Sequence, residues 1–209
     1  MIRYVVIFII IFSGVTNAQF LKNYGFKLGV TSSKEDWKYS ELGKFNTDSK
    51  AGLNISAFAE VLDLPYVNLV SEIGYDQKGM KTEVPITSVT QPEGTGKTKT
   101  MHNRVDYLDF SLALKLNYAM PAVTPYVFAG PRADFLIGSN VDPGYEIVYD
   151  DYENVVYGLN LGLGTEIGNI LPVSVLAEFQ YNYDLSHAYK TDNLKINNHS
   201  YEFKIGIML

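Results

Sequence analysis

Leu108-Asp-Phe-Ser-Leu-Ala-Leu-Lys-Leu-Asn-Tyr118 places a large apolar side chain at every even position and a small, polar or charged one at every odd position. A repeat of two sends alternate side chains to opposite faces of an extended strand, whereas a helix would scatter the same residues around its axis. This stretch therefore predicts a strand with one oily face (Phe110, Leu112, Leu114) and one polar face (Asp109, Ser111, Lys115). The reading extends it to Val105–Tyr118.

Seven further segments follow the same rule. Tyr24–Val30 sets Phe26 and Leu28 against Lys27. Ala51–Val61 sets Leu53 and Ile55 against Asn54 and Glu60, and Val67–Asp76 sets Leu69 and Ile73 against Glu72. Pro125–Ile137 opposes Val127 and Phe135 to Arg132 and Asp134. Val156–Ile167 opposes Leu159 and Leu161 to Asn160 and Glu166. Val173–Asp184 opposes Phe179 and Tyr181 to Glu178. Tyr201–Leu209 opposes Phe203 and Ile205 to Glu202 and Lys204. Most of the eight reach the length of about 9 to 11 residues that a tilted membrane strand needs.

Alternation alone leaves open which face looks outward, because a soluble ligand-binding barrel alternates too. The connections separate the two. Joins at residues 62–66, 119–124 and 168–172 are short, while those at 31–50, 77–104, 139–155 and 185–200 are long. Short turns on one rim and long loops on the other are the pattern of outer-membrane barrels, whose long loops are extracellular. Charge placement agrees: Lys27, Glu60, Glu72, Asp109, Lys115, Arg132, Asp134, Glu166, Glu178, Glu202 and Lys204 share the polar face. A Lys or Arg facing lipid at mid-bilayer costs about 2 to 4 kcal/mol, so that face is the lumen and its charges are expected to pair. Leu28, Leu53, Leu112, Leu114, Phe135, Leu161, Phe179 and Phe203 then face lipid.

The predicted fold is all-β: an eight-stranded antiparallel up-and-down transmembrane barrel of the small OmpA/OmpX-type size, following an N-terminal signal peptide. A lumen of that strand number is just wide enough for side chains to fill it, with Phe58, Tyr126 and Phe128 as internal plugs. Tyr24, Tyr75, Tyr118, Tyr181 and Tyr201 read as interfacial girdles. Pro131 removes a ladder donor on the lipid face, which predicts a bulge there. Asp106 has the wrong parity for the lumen and is expected at the extracellular rim, above the bilayer.

The start of the chain reads as a secretory signal. Arg3 precedes the apolar run Tyr4–Phe12, too short to span a bilayer, and Thr16 and Ala18 are small residues placed for cleavage before Gln19. This divides the chain into a signal peptide, 1–18, and a barrel domain, 19–209. The absence of cysteine excludes disulfides and thiolate metal sites. A net charge of -6 argues against nucleic acid as a partner. Sixteen Tyr, 11 Phe and 17 Gly suit interfacial girdles and a crowded lumen.

At Tyr107-Leu-Asp-Phe-Ser-Leu-Ala-Leu-Lys115 and Pro125-Tyr-Val-Phe-Ala-Gly-Pro131 the chain resembles the Bacteroidetes outer-membrane β-barrel family that includes PorT-like proteins. Ser111 stands where Pro is common in that family. The resemblance follows strand order and loop rhythm over essentially the whole chain after the signal segment. It implies a barrel, and a role supporting another envelope complex, as in protein secretion, but no activity. The last strand also resembles the terminal signal read by the barrel-assembly machinery, with Leu209 where an aromatic is usual.

No catalytic, cofactor or metal site is expected. Ser186, His187 and Asp184 evoke a nucleophile, base and carboxylate, but adjacent strand residues point to opposite faces. His102, His187 and His199 read as loop residues. The acidic loop with Asp142, Glu146, Asp150, Asp151 and Glu153 lacks the spacing of a calcium loop; it reads as a solvated face, or one bridged by cations to lipopolysaccharide phosphates. Pro92-Glu-Gly-Thr-Gly-Lys97 reads as a loop tip. The expected function is a non-enzymatic structural or interaction barrel of the Gram-negative cell envelope. Its expected partners are outer-membrane lipids and lipopolysaccharide, the barrel-assembly machinery, and an envelope or extracellular protein. A narrow channel for small solutes or ions, and a lipid- or peptide-modifying enzyme, are the alternatives.

Overall fold

Eight long strands hydrogen-bond in sequence order and the last returns to the first, so the sheet has no free edge across the bilayer. The computed structural model describes residues 21–62, 64–86, 96–168 and 173–209. The signal-peptide reading of residues 1–18 lies outside the described residues, as does most of the 92–97 loop tip. The barrel strands are β1 (Leu21–Tyr39), β3 (Asp48–Val61), β4 (Val67–Pro85), β5 (Thr98–Asn117), β6 (Val123–Asn140), β7 (Val155–Ile167), β8 (Ser174–Asp184) and β10 (Leu194–Met208). Two short strands, β2 (Gly43–Asn46) and β9 (Tyr189–Lys190), flank β1 and β10 at the long-loop end, and one helical turn, α1 (Glu146–Asp150), lies between β6 and β7.

All the barrel strands but β8 are longer than the alternation predicts. β1 has 19 residues where seven were expected, and β4 and β5 have 19 and 20. At about 3.3 Å per residue such strands exceed an apolar band of about 25 Å even when tilted. The surplus rises on the long-loop side, so much of what the sequence offers as loop at 31–50, 77–104 and 185–200 is ladder.

The cause is a change of solvent along each strand. Outward residues of β1 run Tyr24, Phe26, Leu28 and Val30, then Ser32, Lys34, Asp36 and Lys38, while the buried inward set runs Lys27, Thr31, Ser33 and Glu35 to Trp37. β5 repeats it, with Arg104 and Asp106 outside and Val105 and Tyr107 buried. Oil surrounds the lower barrel, so its interior is polar; water surrounds the upper part, so apolar groups turn inward there. Trp37, Met80, Tyr107, Tyr149, Tyr152 and Ile196 form that upper core. Asp106 accordingly lies on the outer wall above the apolar band, paired with Arg104 at 3.2 Å.

No register shift occurs at Pro131. Ser111 pairs with Arg132 and Leu114 with Ala129 at one constant offset, and Pro131 faces Leu159 on β7. A missing donor removes a bond without requiring an extra residue, and Gly130 beside it lets β5 close in: a Cβ there would stand 2.0 Å from the Leu112 carbonyl oxygen. The shift comes near Ile137 instead, where Asp106 pairs with Gly138 but Tyr107 with Leu136. Lower in the lumen, Tyr126 and Phe128 lie across Gly164 and Gly162, their partners on β7, and any Cβ at those glycines would meet the rings at 2.3 to 2.5 Å.

Candidate functional site

In the lumen, strands distant in sequence bring many ionisable groups together, and all eleven residues expected there point into it. Ten are buried, and Glu166 is half-buried. Near the short-turn end, Lys115 bridges Glu60 and Glu166 beneath the Tyr126 ring, 4.1 Å from its centroid. Above it, Lys27 donates to Glu72 at 2.7 Å and Glu178 at 2.9 Å and rests on the Phe58 ring, while the Tyr126 hydroxyl donates to Glu178 at 2.8 Å. Lys204 joins Glu72 at 2.7 Å to Glu202 at 2.9 Å, and Asn182 donates to Glu202.

Higher still, Arg132 reaches Asp184 at 2.6 Å and Asp134 at 3.2 Å, and Lys78 reaches Asp134 at 2.5 Å and Asp76 at 3.5 Å. Asp76 and Asp184 were on the predicted polar faces but outside the expected network, and Lys78 fell in an expected loop. The signal that would have found Lys78 is the continuing alternation Asp76, Lys78, Met80, Thr82, all buried. The clusters stack as a column, the lower two joined through Tyr126, and the cavity between Lys27, Glu72, Glu178 and Phe128 measures about 10 Å³. That is room for about one water. The eight expected lipid-facing residues are all exposed on the outer wall, from Leu112 at 38% to Leu161 at 59%.

Over the column lies an aromatic cap. Residues 141–154 fold back onto the barrel mouth through Leu136 N–H to the Asn154 carbonyl and Glu153 N–H to the Ala188 carbonyl. Tyr149 stacks on Tyr152 with centroids 4.5 Å apart, and Tyr145 meets Trp37 edge-on at 6.0 Å. Beneath them Glu35, on the part of β1 above the apolar band, is fully buried: its Oε2 accepts from Trp37 Nε1 at 2.9 Å and the Tyr149 hydroxyl at 2.8 Å, and its Oε1 has no partner. The sequence reading missed Glu35 because it lay in an expected loop; its parity with Ser33 and Trp37 was the available sign.

Burial pushes the Glu35 carboxyl up to about 7, against the hydrogen bonds from Tyr149 and Trp37 that favour its charged form. A value raised above the ordinary 4.5 means that the cap is fully stable below that ordinary value and loses stability as pH rises through about 7, by about 3 kcal/mol in the limit. Trp37 is the chain's single tryptophan and touches Glu35 directly. Its fluorescence is expected to shift toward that of exposed indole between about pH 6 and about pH 8, on either side of the Glu35 value of about 7, and Glu35→Gln to abolish the shift. A pH-independent emission in the native chain would refute the assignment.

The other expected candidates do not assemble. Ser186 Oγ accepts from the Tyr157 amide at 2.8 Å, His187 Nδ1 pairs with Asn197 at 2.8 Å, and Asp184 is held by Arg132. His199 belongs to β10 and His102 to β5 rather than to loops, because the ladder continues above the apolar band; His199 lies 3.8 Å from Asp36 and His102 is exposed. In the acidic loop, Asp142 accepts from the His102 amide and Glu146 from the Gly144 amide. Among the described residues no three His or carboxylate side chains gather as a metal site.

Solved structures similar to the chain include OprG from Pseudomonas aeruginosa (10% identity, 91% of this chain and 96% of that one, TM-score 0.46). Others are the Neisserial surface protein A (15%, 90% and 98%, 0.45) and the protease OmpT from Escherichia coli (9%, 89% and 95%, 0.46). A search of curated proteins finds none that matches. Residues 17–190 match the family model described as outer membrane protein beta-barrel domain, and with its oily outer wall and closed sheet the chain belongs to that family and is a protein of the outer membrane.

Proposed function

We propose that this protein is a non-enzymatic barrel of the cell envelope whose closed lumen serves rigidity and whose raised strands and loops serve interaction, in support of a secretion-associated or other envelope complex. The observation that carries this reading is the stack of three salt-bridged clusters that fills the lumen from Glu166 to Asp76 beneath the aromatic cap. Such a column cross-links strands through groups that lipid could not satisfy, and the small lumenal cavity of about 10 Å³ supports a closed interior. The separate engagement of Ser186, His187 and Asp184 supports the absence of catalysis at that rim.

A narrow cation path is the second reading, favoured by one imbalance: Lys27, Lys78, Lys115, Arg132 and Lys204 face nine carboxylates, namely Glu60, Glu72, Asp76, Asp109, Asp134, Glu166, Glu178, Asp184 and Glu202. Planar-bilayer recording with the purified barrel decides between the two. The closed reading expects a silent bilayer, and discrete conductance steps that grow with salt would overturn it in favour of the channel.

A further inference from the structure

At the long-loop end of the barrel, four lysines on four neighbouring strands stand side by side. Lys38 of β1 pairs with Lys44 of β2 on one side and with Lys195 of β10 on the other, and Lys195 pairs in turn with Lys190 of β9. Cross-strand partners share a face. Their chain neighbours Trp37 and Ile196 turn into the upper core, so the row points outward, and all four lysines are exposed. At about 5 Å between partners the row spans about 15 Å. The two short strands supply Lys44 and Lys190, and so lengthen it from two ammonium groups to four.

Like charges directly opposite one another are destabilising, and the row holds three such pairs. Within it Lys44 meets Asp36 at 2.9 Å, a carboxylate that also lies 3.8 Å from His199. Lys38, Lys190 and Lys195 form no salt bridge among the described residues. Lys34, beside His199, extends the basic face downward, while Glu41 and Asp192 lie in the turns beyond the row. Lys38 is eight residues past Val30, the last exposed oily residue of β1. At about 3.3 Å per residue on a tilted strand the row stands about 20 Å above the hydrocarbon edge, past a headgroup layer of about 5 to 8 Å. Its partner therefore arrives from the aqueous side.

We propose that Lys38, Lys44, Lys190 and Lys195 bind a soluble linear polysaccharide that carries an anionic group on each sugar. The row runs across the strands, so its charges repeat at the strand spacing of about 4.8 Å, and one sugar ring of a linear chain is comparable in length. An extended acidic peptide repeats the side chains of one face at about 6.7 Å and falls out of step by the third lysine. Lysine without arginine suits a polymer, because ammonium groups act as point charges along a flexible chain, whereas a guanidinium fork selects one planar anion in one place. Each anionic group that settles between two lysines also relieves their mutual repulsion. The site rests on the reading of the raised strands as an interaction surface, and its failure would leave the closed lumen and its silent bilayer untouched.

The test is calorimetric titration of the refolded full barrel, in nonionic detergent at low ionic strength, with hexagalacturonate, neutral maltohexaose and hexaglutamate. The variant Lys38→Gln/Lys44→Gln/Lys190→Gln/Lys195→Gln is compared with Lys50→Gln/Lys81→Gln/Lys97→Gln/Lys99→Gln, an equal charge change on and beside β3 to β5, both checked for folding by heat-modifiable gel mobility. Hexagalacturonate is expected to bind the wild type and the control alike, and the row variant more weakly on the order of a hundredfold, a few-fold for each ammonium group lost. Maltohexaose should not bind, and hexaglutamate should bind more weakly than hexagalacturonate. A wild type that ignores hexagalacturonate, a row variant that binds it equally, or maltohexaose binding as well as the uronate would overturn the site. Hexaglutamate binding as tightly as hexagalacturonate would overturn its assignment to a polysaccharide in favour of an acidic peptide.

Discussion

Lys204→Met is expected to destabilise the barrel by about 3 to 5 kcal/mol, the cost of removing one partner from a buried ion pair. Lys204 is 1% exposed and its ammonium joins Glu72 to Glu202, the central link of the lumenal column. Methionine fills much of the same volume, so the loss comes from charge rather than from a cavity. Glu72 would retain Lys27, but Glu202 would keep only the amides of Asn182 and Asn54 inside a lumen already rich in carboxylates. Urea unfolding of the refolded barrel measures the effect. Lys204→Met/Glu202→Gln should recover most of the loss, because neutralising the orphaned carboxylate removes its desolvation cost. A single variant within about 1 kcal/mol of wild type would mean that the column contributes nothing to rigidity.

The second large effect separates the two faces of one strand. Leu161→Arg puts a guanidinium at a site 59% exposed on the outer wall of β7, flanked by Ala129 and Tyr181 on the neighbouring strands. In lipid this costs about 2 to 4 kcal/mol and leaves five donors without acceptors. Asn160→Arg turns the same group inward, opposite Gly130 and Asn182, toward the surplus of lumenal carboxylates. The folded fraction recovered in outer membranes should fall sharply for Leu161→Arg and much less for Asn160→Arg. Equal recovery would mean that the two walls have been assigned to the wrong solvents.

Much of this molecule could be read from period-two chemistry. The stretch around Leu112 and its seven counterparts located every membrane crossing, and parity alone sorted Lys27 from Leu28 and Asn160 from Leu161. The reading stopped at Val30, Asp76 and Val105 because the alternation inverts there. A polar residue in an outward position looked like the end of a strand, when it marked the passage from oil to water. Pro131 departs from its expected bulge because a missing donor removes one ladder bond without shifting the register, and Gly130 beside it lets β5 approach.

Facing and strand count follow from neighbours one and two residues apart, and such information is written locally in the chain. Pairing is different: Lys27 and Glu178 are 151 positions apart, Glu35 and Tyr149 are 114 apart, and no spacing rule links them. Ring closure between β1 and β10 fixes which carboxylate each lumenal cation meets. The fold of residues 141–154 over the mouth decides that Glu35 is sealed from water. Those outcomes depend on three-dimensional closure because burial and electrostatic proximity are properties of the assembled surface, and the same residues in an open chain would all be equally hydrated.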